Sequence, residues 1–263
     1  MRSSEWVAFV YFAAMAALAW ARPLPAGRRL VITIVAVVMD AAIFAVAHAG
    51  NGLTRDWSPL VAILVGYFVS GRFFVHPSPS LEDWLTTWDR RLLGNPATRF
   101  SGWPRSVLAY LELVYLGCFL LIPIGFAALA VAGRSSLANR YWTMVIAAEF
   151  GAFAPLSLIQ TRPPWALERV PAPADRAMRR FALRMVEQFT IRANTFPSGH
   201  VAGSLAVAFA VVGAMPWTGA VLLGLALTIS LACVVGRYHY IIDVLAGAIL
   251  AVVVWVGVIA AGL

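Results

Sequence analysis

Eight apolar stretches, roughly 6–21, 30–49, 57–76, 107–132, 141–160, 200–215, 217–236 and 240–262, take up most of the sequence. A helix needs about 20 apolar residues to cross the hydrocarbon core of a bilayer. Backbone inside lipid must satisfy its own hydrogen bonds, so each stretch is expected to be helical. Hydrophobic residues make up 61% of the 263, and charged residues only 12%. A soluble domain cannot hide so much apolar surface. The expected fold is therefore all-α: a polytopic membrane helix bundle of about eight spans. The first stretch could pass for a signal peptide. Trp20 and Arg22-Pro23 favour a retained span, because they read as an interfacial anchor.

Two connections between the stretches are long. Residues 77–105 contain LEDWLTTWDRRLL, whose Leu and Trp recur at helical spacing, so an interfacial helix is expected near 80–94. Residues 161–198 hold seven arginines, and DRAMRRFALRMVEQF predicts a second interfacial helix near 174–190. Pro216 punctuates the sixth and seventh stretches and predicts a tight turn. No internal repeat is visible.

All twenty basic residues are arginine. No lysine is present to act as a base, a Schiff-base amine or a phosphate ligand. Arginine keeps its charge and grips phosphate with two parallel hydrogen bonds. The net charge of +8 points to anionic lipid headgroups and cytoplasmic loops and not to nucleic acid. Cys118 and Cys233 fall inside apolar stretches and make no disulfide framework or metal motif. With eight spans, sixteen arginines fall on the connections after the odd-numbered spans and four on the other side. The odd side is expected to face the cytoplasm by the positive-inside rule. The expected location is the bacterial inner membrane.

His200 follows Pro197-Ser198-Gly199 at the start of the sixth stretch, and His239 starts the eighth. Two spans and a turn separate them, so both return to one membrane face. Arg162-Pro163 ends the fifth stretch at that same face. His239 and Asp243 are four apart and share a helical face. A carboxylate there fixes one ring nitrogen and leaves the other free to attack. Ser198, Gly199 and the first amides of the sixth helix form an anion site. Together these groups suit a phosphoryl group, with one histidine as nucleophile and another as acid. Competing readings are Ser198 as an ordinary helix cap, the histidines as satisfied polar residues, and His200, His239 and Asp243 as metal ligands.

Pro197-Ser198-Gly199-His200 followed by His239-x-x-x-Asp243 resembles the type 2 phosphatidic acid phosphatase superfamily of integral membrane lipid phosphatases. Val244-Leu245-Ala246-Gly247 is also similar to that family, and the resemblance covers roughly 57–262. It implies a six-helix phosphatase-type core over 57–263, preceded by two N-terminal transmembrane helices within 1–56. It implies His239 as the nucleophile that forms a phosphohistidine, Asp243 as its orienting group and His200 as the acid. It implies Arg162, Ser198 and Gly199 as phosphate ligands, and no metal or other cofactor.

The resemblance has gaps. Pro155 stands where the family's first-motif lysine belongs, and Cys233, preceded by Ala232, where its third-motif arginine belongs. Arg237 is the expected substitute, and Arg192 a weaker one. Pro163-Pro164-Trp165 and Tyr238-His239-Tyr240 are similar to the inositol phosphorylceramide synthase branch, whose members transfer a phosphorylated headgroup to a lipid alcohol. The expected function is a membrane lipid phosphatase acting on a lipid phosphate or pyrophosphate that enters from the bilayer. The alternatives are such a phosphotransferase, or a non-enzymatic lipid-phosphate binder or transporter. Asp40, Glu112 and Glu149 motivate the last of these, since carboxylates within spans are costly and often functional. Glu112 and Glu149 are expected to pack helices by pairing with Arg140 or with tyrosines. The substrate, the acceptor and the oligomeric state are not legible in the sequence.

Overall fold

The computed structural model describes residues 1–167 and 177–263. In chain order its α-helices are α1 Ser3–Ala21, α2 Ala26–Ala49, α3 Gly52–Gly71, α4 Pro79–Leu93, α5 Pro96–Ser101, α6 Arg105–Leu116, α7 Cys118–Val131, α8 Ala138–Phe153, α9 Pro164–Leu167, α10 Ala177–Phe189, α11 Gly199–Val212, α12 Pro216–Val235 and α13 Ile241–Ala260. Among the described residues there is no strand, only an isolated bridge between Thr161 and Asn194. The fold is an all-α helical bundle.

All eight apolar stretches are helical. Four helices, α1, α2, α12 and α13, are long and apolar enough to cross a membrane. The pair α6–α7 makes a fifth span if its two halves are counted together. The expected count of eight is thus not reached by length and composition. The reasons are local: α3 carries Arg55 and Asp56 in its first turns, and α8 and α11 have only 16 and 14 residues.

The single span expected over 107–132 is broken. Its halves meet at Gly117 with a bend of 61°. Glycine removes side-chain support at the joint, and Pro123 removes a backbone donor in the second turn of α7. The stretch expected over 141–160 stops being α-helical at Phe153, where Pro155 sits in a 3-10 turn over Ala154–Ser157.

Hydrogen bonds sort the connections onto two faces. On one, Arg28 donates to the Phe74 carbonyl (2.8 Å), Ser78 N–H to the Gln160 carbonyl (2.8 Å), and Arg162 pairs with Glu82. On the other, Arg2 pairs with Asp56 and Arg55 with Glu5, and Ser4 N–H donates to Asn139. This is the alternation that eight end-to-end segments require.

α11 is the central helix. It packs against α7, α8, α12 and α13, and only His200, Phe209 and Val212 escape full burial along it. Its Gly, Ala and Ser residues let neighbouring backbones approach closely. α1 joins the same core: Tyr11 stacks on Phe150 at 3.9 Å and donates to the Gly66 carbonyl at 2.9 Å.

α4 lies where the first interfacial helix was expected. It starts at Pro79 behind Ser78, whose hydroxyl accepts from Leu81 N–H, and ends at Gly94 with φ of 75°. Its buried side is formed by Glu82, Leu85 and Asp89, while Leu81, Trp84 and Leu92 are exposed. The carboxylates face the protein, which decides where two arginines go. α10 covers the second interfacial helix from residue 177 onward; residues 174–176 of that expectation lie outside the described residues.

Candidate active site

The Pro197-Ser198-Gly199-His200 turn is clamped between two elements. Ser198 N–H donates to the Asp243 carbonyl at 3.0 Å, and Gly199 N–H donates to Thr195 Oγ1 at 3.3 Å. A Cβ on Gly247 would come within 2.7 Å of the Ser198 carbonyl oxygen, so α13 approaches the turn as only glycine allows. Ser198 occupies the cap position of α11 but makes no side-chain cap bond. Its Oγ is buried without a hydrogen-bond partner. The ordinary reading of this serine as a cap therefore lacks its bond.

His239 sits between α12 and α13. Gly236 and Arg237 end α12, with Arg237 in the left-handed region (φ 58°) and the His239 N–H returning to the Cys233 carbonyl (3.1 Å). Asp243 lies one turn into α13 and is fully buried. Its Oδ2 accepts from Tyr240 N–H (2.9 Å) and from Asn194 Nδ2 (3.0 Å), and lies 3.5 Å from His239 Nδ1. On the other side of the ring, His239 Nε2 stands 3.4 Å from His200 Nδ1. Asp243 and His200 thus address opposite nitrogens of one imidazole, so the three cannot chelate a single ion. Among the described residues no group of three or more His, Cys, Asp or Glu could hold a metal.

An aromatic column backs the pair. Tyr115 stacks on His200 (centroids 5.0 Å) and on Tyr238 (3.6 Å, interplanar angle 2°). The Tyr238 hydroxyl donates to Glu112, which also pairs with Arg179 at 3.0 Å. The Arg179 guanidinium lies 4.9 Å from the Tyr238 ring centre. This ties α10 to α6 directly above the histidines. Glu112 pairs with a tyrosine, as expected, but its arginine is Arg179 and not Arg140.

The arginines divide. A cavity of about 30 Å³ beside both histidines is lined by Arg192, Thr195, Tyr238, Pro163 and Trp165. Arg192 is exposed at its rim, with φ of 56° and Nε donating to the Glu187 carbonyl at 2.8 Å. Arg162 and Arg237 line a different cavity of about 550 Å³, together with Glu82, Asp89 and Tyr240. Glu82 accepts three bonds from Arg162: from the backbone N–H (2.8 Å), Nε (3.0 Å) and Nη2 (2.7 Å). Burial raises the Glu82 carboxyl, but these bonds from Arg162 outweigh it and hold the group below its ordinary value. Arg237 Nη2 is 2.8 Å from Asp89 Oδ2, and both residues are buried. Pro155 and Cys233, at the positions of the family's missing cations, contribute a 3-10 turn and a buried thiol.

The structure therefore brings His200, His239, Asp243, Ser198 and Gly199 together, with Arg192 at the rim. It turns the Arg162 and Arg237 side chains toward carboxylates of α4. Sequence reasoning missed Asn194, Tyr115, Thr195 and the two acidic partners on α4. The period of Glu82, Leu85 and Asp89 along one helical face was the available signal.

No curated protein and no solved structure matches the chain. A family model described as the PAP2 superfamily matches residues 83–257, which include both histidines, Asp243 and the turn before α11. The chain belongs to the PAP2 superfamily, and it is an integral membrane protein of phosphatase type.

Proposed function

We propose that the protein is a membrane lipid phosphatase working through a phosphohistidine on His239. The observation that carries this reading is the ordering of groups around one ring, with Asp243 at Nδ1 and His200 at Nε2. The Nε2 lone pair attacks phosphorus, and the bond from phosphorus to the lipid oxygen breaks. The leaving oxygen takes a proton from His200 Nδ1. In the second half, an acceptor hydroxyl gives its proton to His200 while its oxygen attacks phosphorus, and the P–N bond breaks. With water as acceptor the product is phosphate. Asp243, 3.5 Å from Nδ1, stabilises the positive charge that the ring gains on attack, and Asn194 holds Asp243.

Ser198 Oγ, the start of α11 and Arg192 are the proposed phosphate ligands nearest the pair. Arg162 and Arg237 line the neighbouring cavity; in this reading they reach phosphate only by leaving Glu82 and Asp89. The apolar chain arrives laterally from the bilayer, and the site lies on the arginine-rich, cytoplasmic face.

Transfer of a phosphorylated headgroup to a lipid alcohol, as in inositol phosphorylceramide synthases, is the second reading. It is favoured by Pro155 and Cys233 standing where family cations belong. The test is phosphate release by purified protein in detergent, from phosphatidic acid, lipid diphosphates and isoprenyl phosphates, in EDTA, with His239→Ala alongside. Release that disappears with His239 supports hydrolysis. No release, but transfer from phosphatidylinositol to a lipid alcohol, supports the second reading. Binding with neither reaction supports a lipid-phosphate binder and overturns both.

A further inference from the structure

Glu149 lies in the middle of the bundle, on α8, and the reaction above does not use it. The residue is only 7% exposed. Among the described residues no arginine pairs with it, whereas Glu112 has Arg179 and Tyr238. The start of α11 is shaped around it. A Cβ on Gly203 would run into the Glu149 carboxylate, and one on Gly199 would come within 3.2 Å of Oε2. A carboxyl kept in apolar surroundings is costly, and room made for it on a neighbouring helix marks it as more than filler.

Glu149 and His200 line one cavity of about 30 Å³, together with Thr195 and Ser204. That exceeds the roughly 10–15 Å³ a cavity needs to hold a water. His200 Nε2 is buried without a hydrogen-bond partner. The other titratable groups on this cavity are Tyr67 from α3 and Cys118 from α7. The Tyr67 hydroxyl already accepts from Ile191 N–H at 3.2 Å. His200 otherwise meets Tyr115 and Phe119 by its ring and His239 at Nδ1.

We propose that Glu149 is the proton partner of His200, joined to Nε2 by a hydroxyl-sized molecule, water in the resting enzyme, held in this cavity. The inference rests on the acid–base role proposed for His200. The protons balance. In the first half, His200 gives its Nδ1 proton to the leaving oxygen, and the carboxylic proton of Glu149 passes through the water to Nε2. In the second half, the acceptor hydroxyl gives its proton to Nδ1, and the Nε2 proton returns to Glu149. The imidazole changes tautomer twice and stays neutral, and between the two halves the negative charge rests on Glu149. Glu149 touches no reacting atom and is a positioning residue.

The test uses the full-length protein in detergent, as wild type, Glu149→Gln and Glu149→Asp. Glu149→Gln keeps the shape and removes the exchangeable acid. Expected is a fall in kcat of about 10²-fold with KM held, partial recovery in Glu149→Asp, and a changed solvent isotope effect on kcat. A second readout needs no turnover: the ring-nitrogen NMR signals of ¹⁵N-labelled His200, identified by their loss in His200→Gln, shift between wild type and Glu149→Gln. Turnover that depends on His239 but is unchanged in Glu149→Gln, with the His200 signals unmoved, overturns the inference and leaves the phosphatase reading standing. Shifted His200 signals in a protein without turnover on any substrate support the pairing and overturn the reaction assigned to it. If Glu149→Gln does not fold, Glu149→Met, which also lacks the acid, carries the test: an unmoved His200 spectrum and wild-type kcat overturn the inference.

Discussion

His239 Nε2 faces His200 Nδ1 at 3.4 Å across the gap between the α12–α13 connection and the start of α11, although the two residues are thirty-nine apart in sequence. Asp243 stands behind the same ring at 3.5 Å. His239→Ala is expected to abolish turnover and the trapping of a labelled phosphoenzyme, which is acid-labile and base-stable if phosphohistidine forms. His200→Ala is expected to lower kcat by about 10²–10⁴-fold. A phosphoenzyme that survives His239→Ala would move the nucleophile elsewhere.

Asn194 donates to Asp243 Oδ2 at 3.0 Å, and both side chains are buried. Asn194→Ala leaves that carboxylate one bond short, at about 1–3 kcal/mol of stability. It also frees Asp243 to turn away from His239, so kcat is expected to fall more than KM rises. Steady-state kinetics beside a thermal melt separates the two effects. A melt shift with normal kcat would confine Asn194 to packing.

Of the arginines, Arg192 lines the histidine cavity, while Arg162 and Arg237 line the cavity of Glu82, Asp89 and Tyr240. Arg192→Ala is expected to raise KM for a lipid phosphate by about tenfold, the loss of a charge-assisted contact of about 1.5 kcal/mol. Arg162→Ala is expected to act mainly on stability, by releasing α4. The reverse pattern would show that Arg162 leaves Glu82 to meet phosphate.

Glu82 gives a pH dependence with a definite sign. Its folded carboxyl lies below the ordinary value of 4.5, because the bonds from Arg162 outweigh burial. The stabilisation is complete above the ordinary value and is lost as pH falls through the lower folded value. Melting temperatures of wild type and Glu82→Gln measured across pH should differ near neutrality and converge in acid. A constant difference down to low pH would remove this pair from the acid response.

Orientation is open to labelling. In a background with Cys118 and Cys233 replaced, Ser80→Cys lies on the face of the histidines and Ser136→Cys on the opposite one, both at exposed positions. With the site on the cytoplasmic face, an impermeant maleimide added to intact cells labels Ser136→Cys and spares Ser80→Cys. Labelling of Ser80→Cys from outside would invert the topology.

The sequence by itself determined the helices and the histidine pair. Lipid admits only backbone that bonds to itself, so long apolar stretches could be read as helices one at a time. His239 and Asp243 share a face by helical period, and alternation of spans returns Pro197–His200 to the same level. Those are properties of spacing. The break lies at Gly117, six residues before Pro123, and length alone read α6 and α7 as one span. Only the tertiary structure decided which charge meets which. Their place beside the motifs matches Arg162 and Arg237 to phosphate; the fold adds Glu82 and Asp89, more than seventy residues away from either, as their partners on α4. Asn194 reaches Asp243, and Glu149 comes to share a cavity with His200, for the same reason. An ion pair or a buried hydrogen bond depends on distance in space, and helix packing sets that distance independently of separation along the chain.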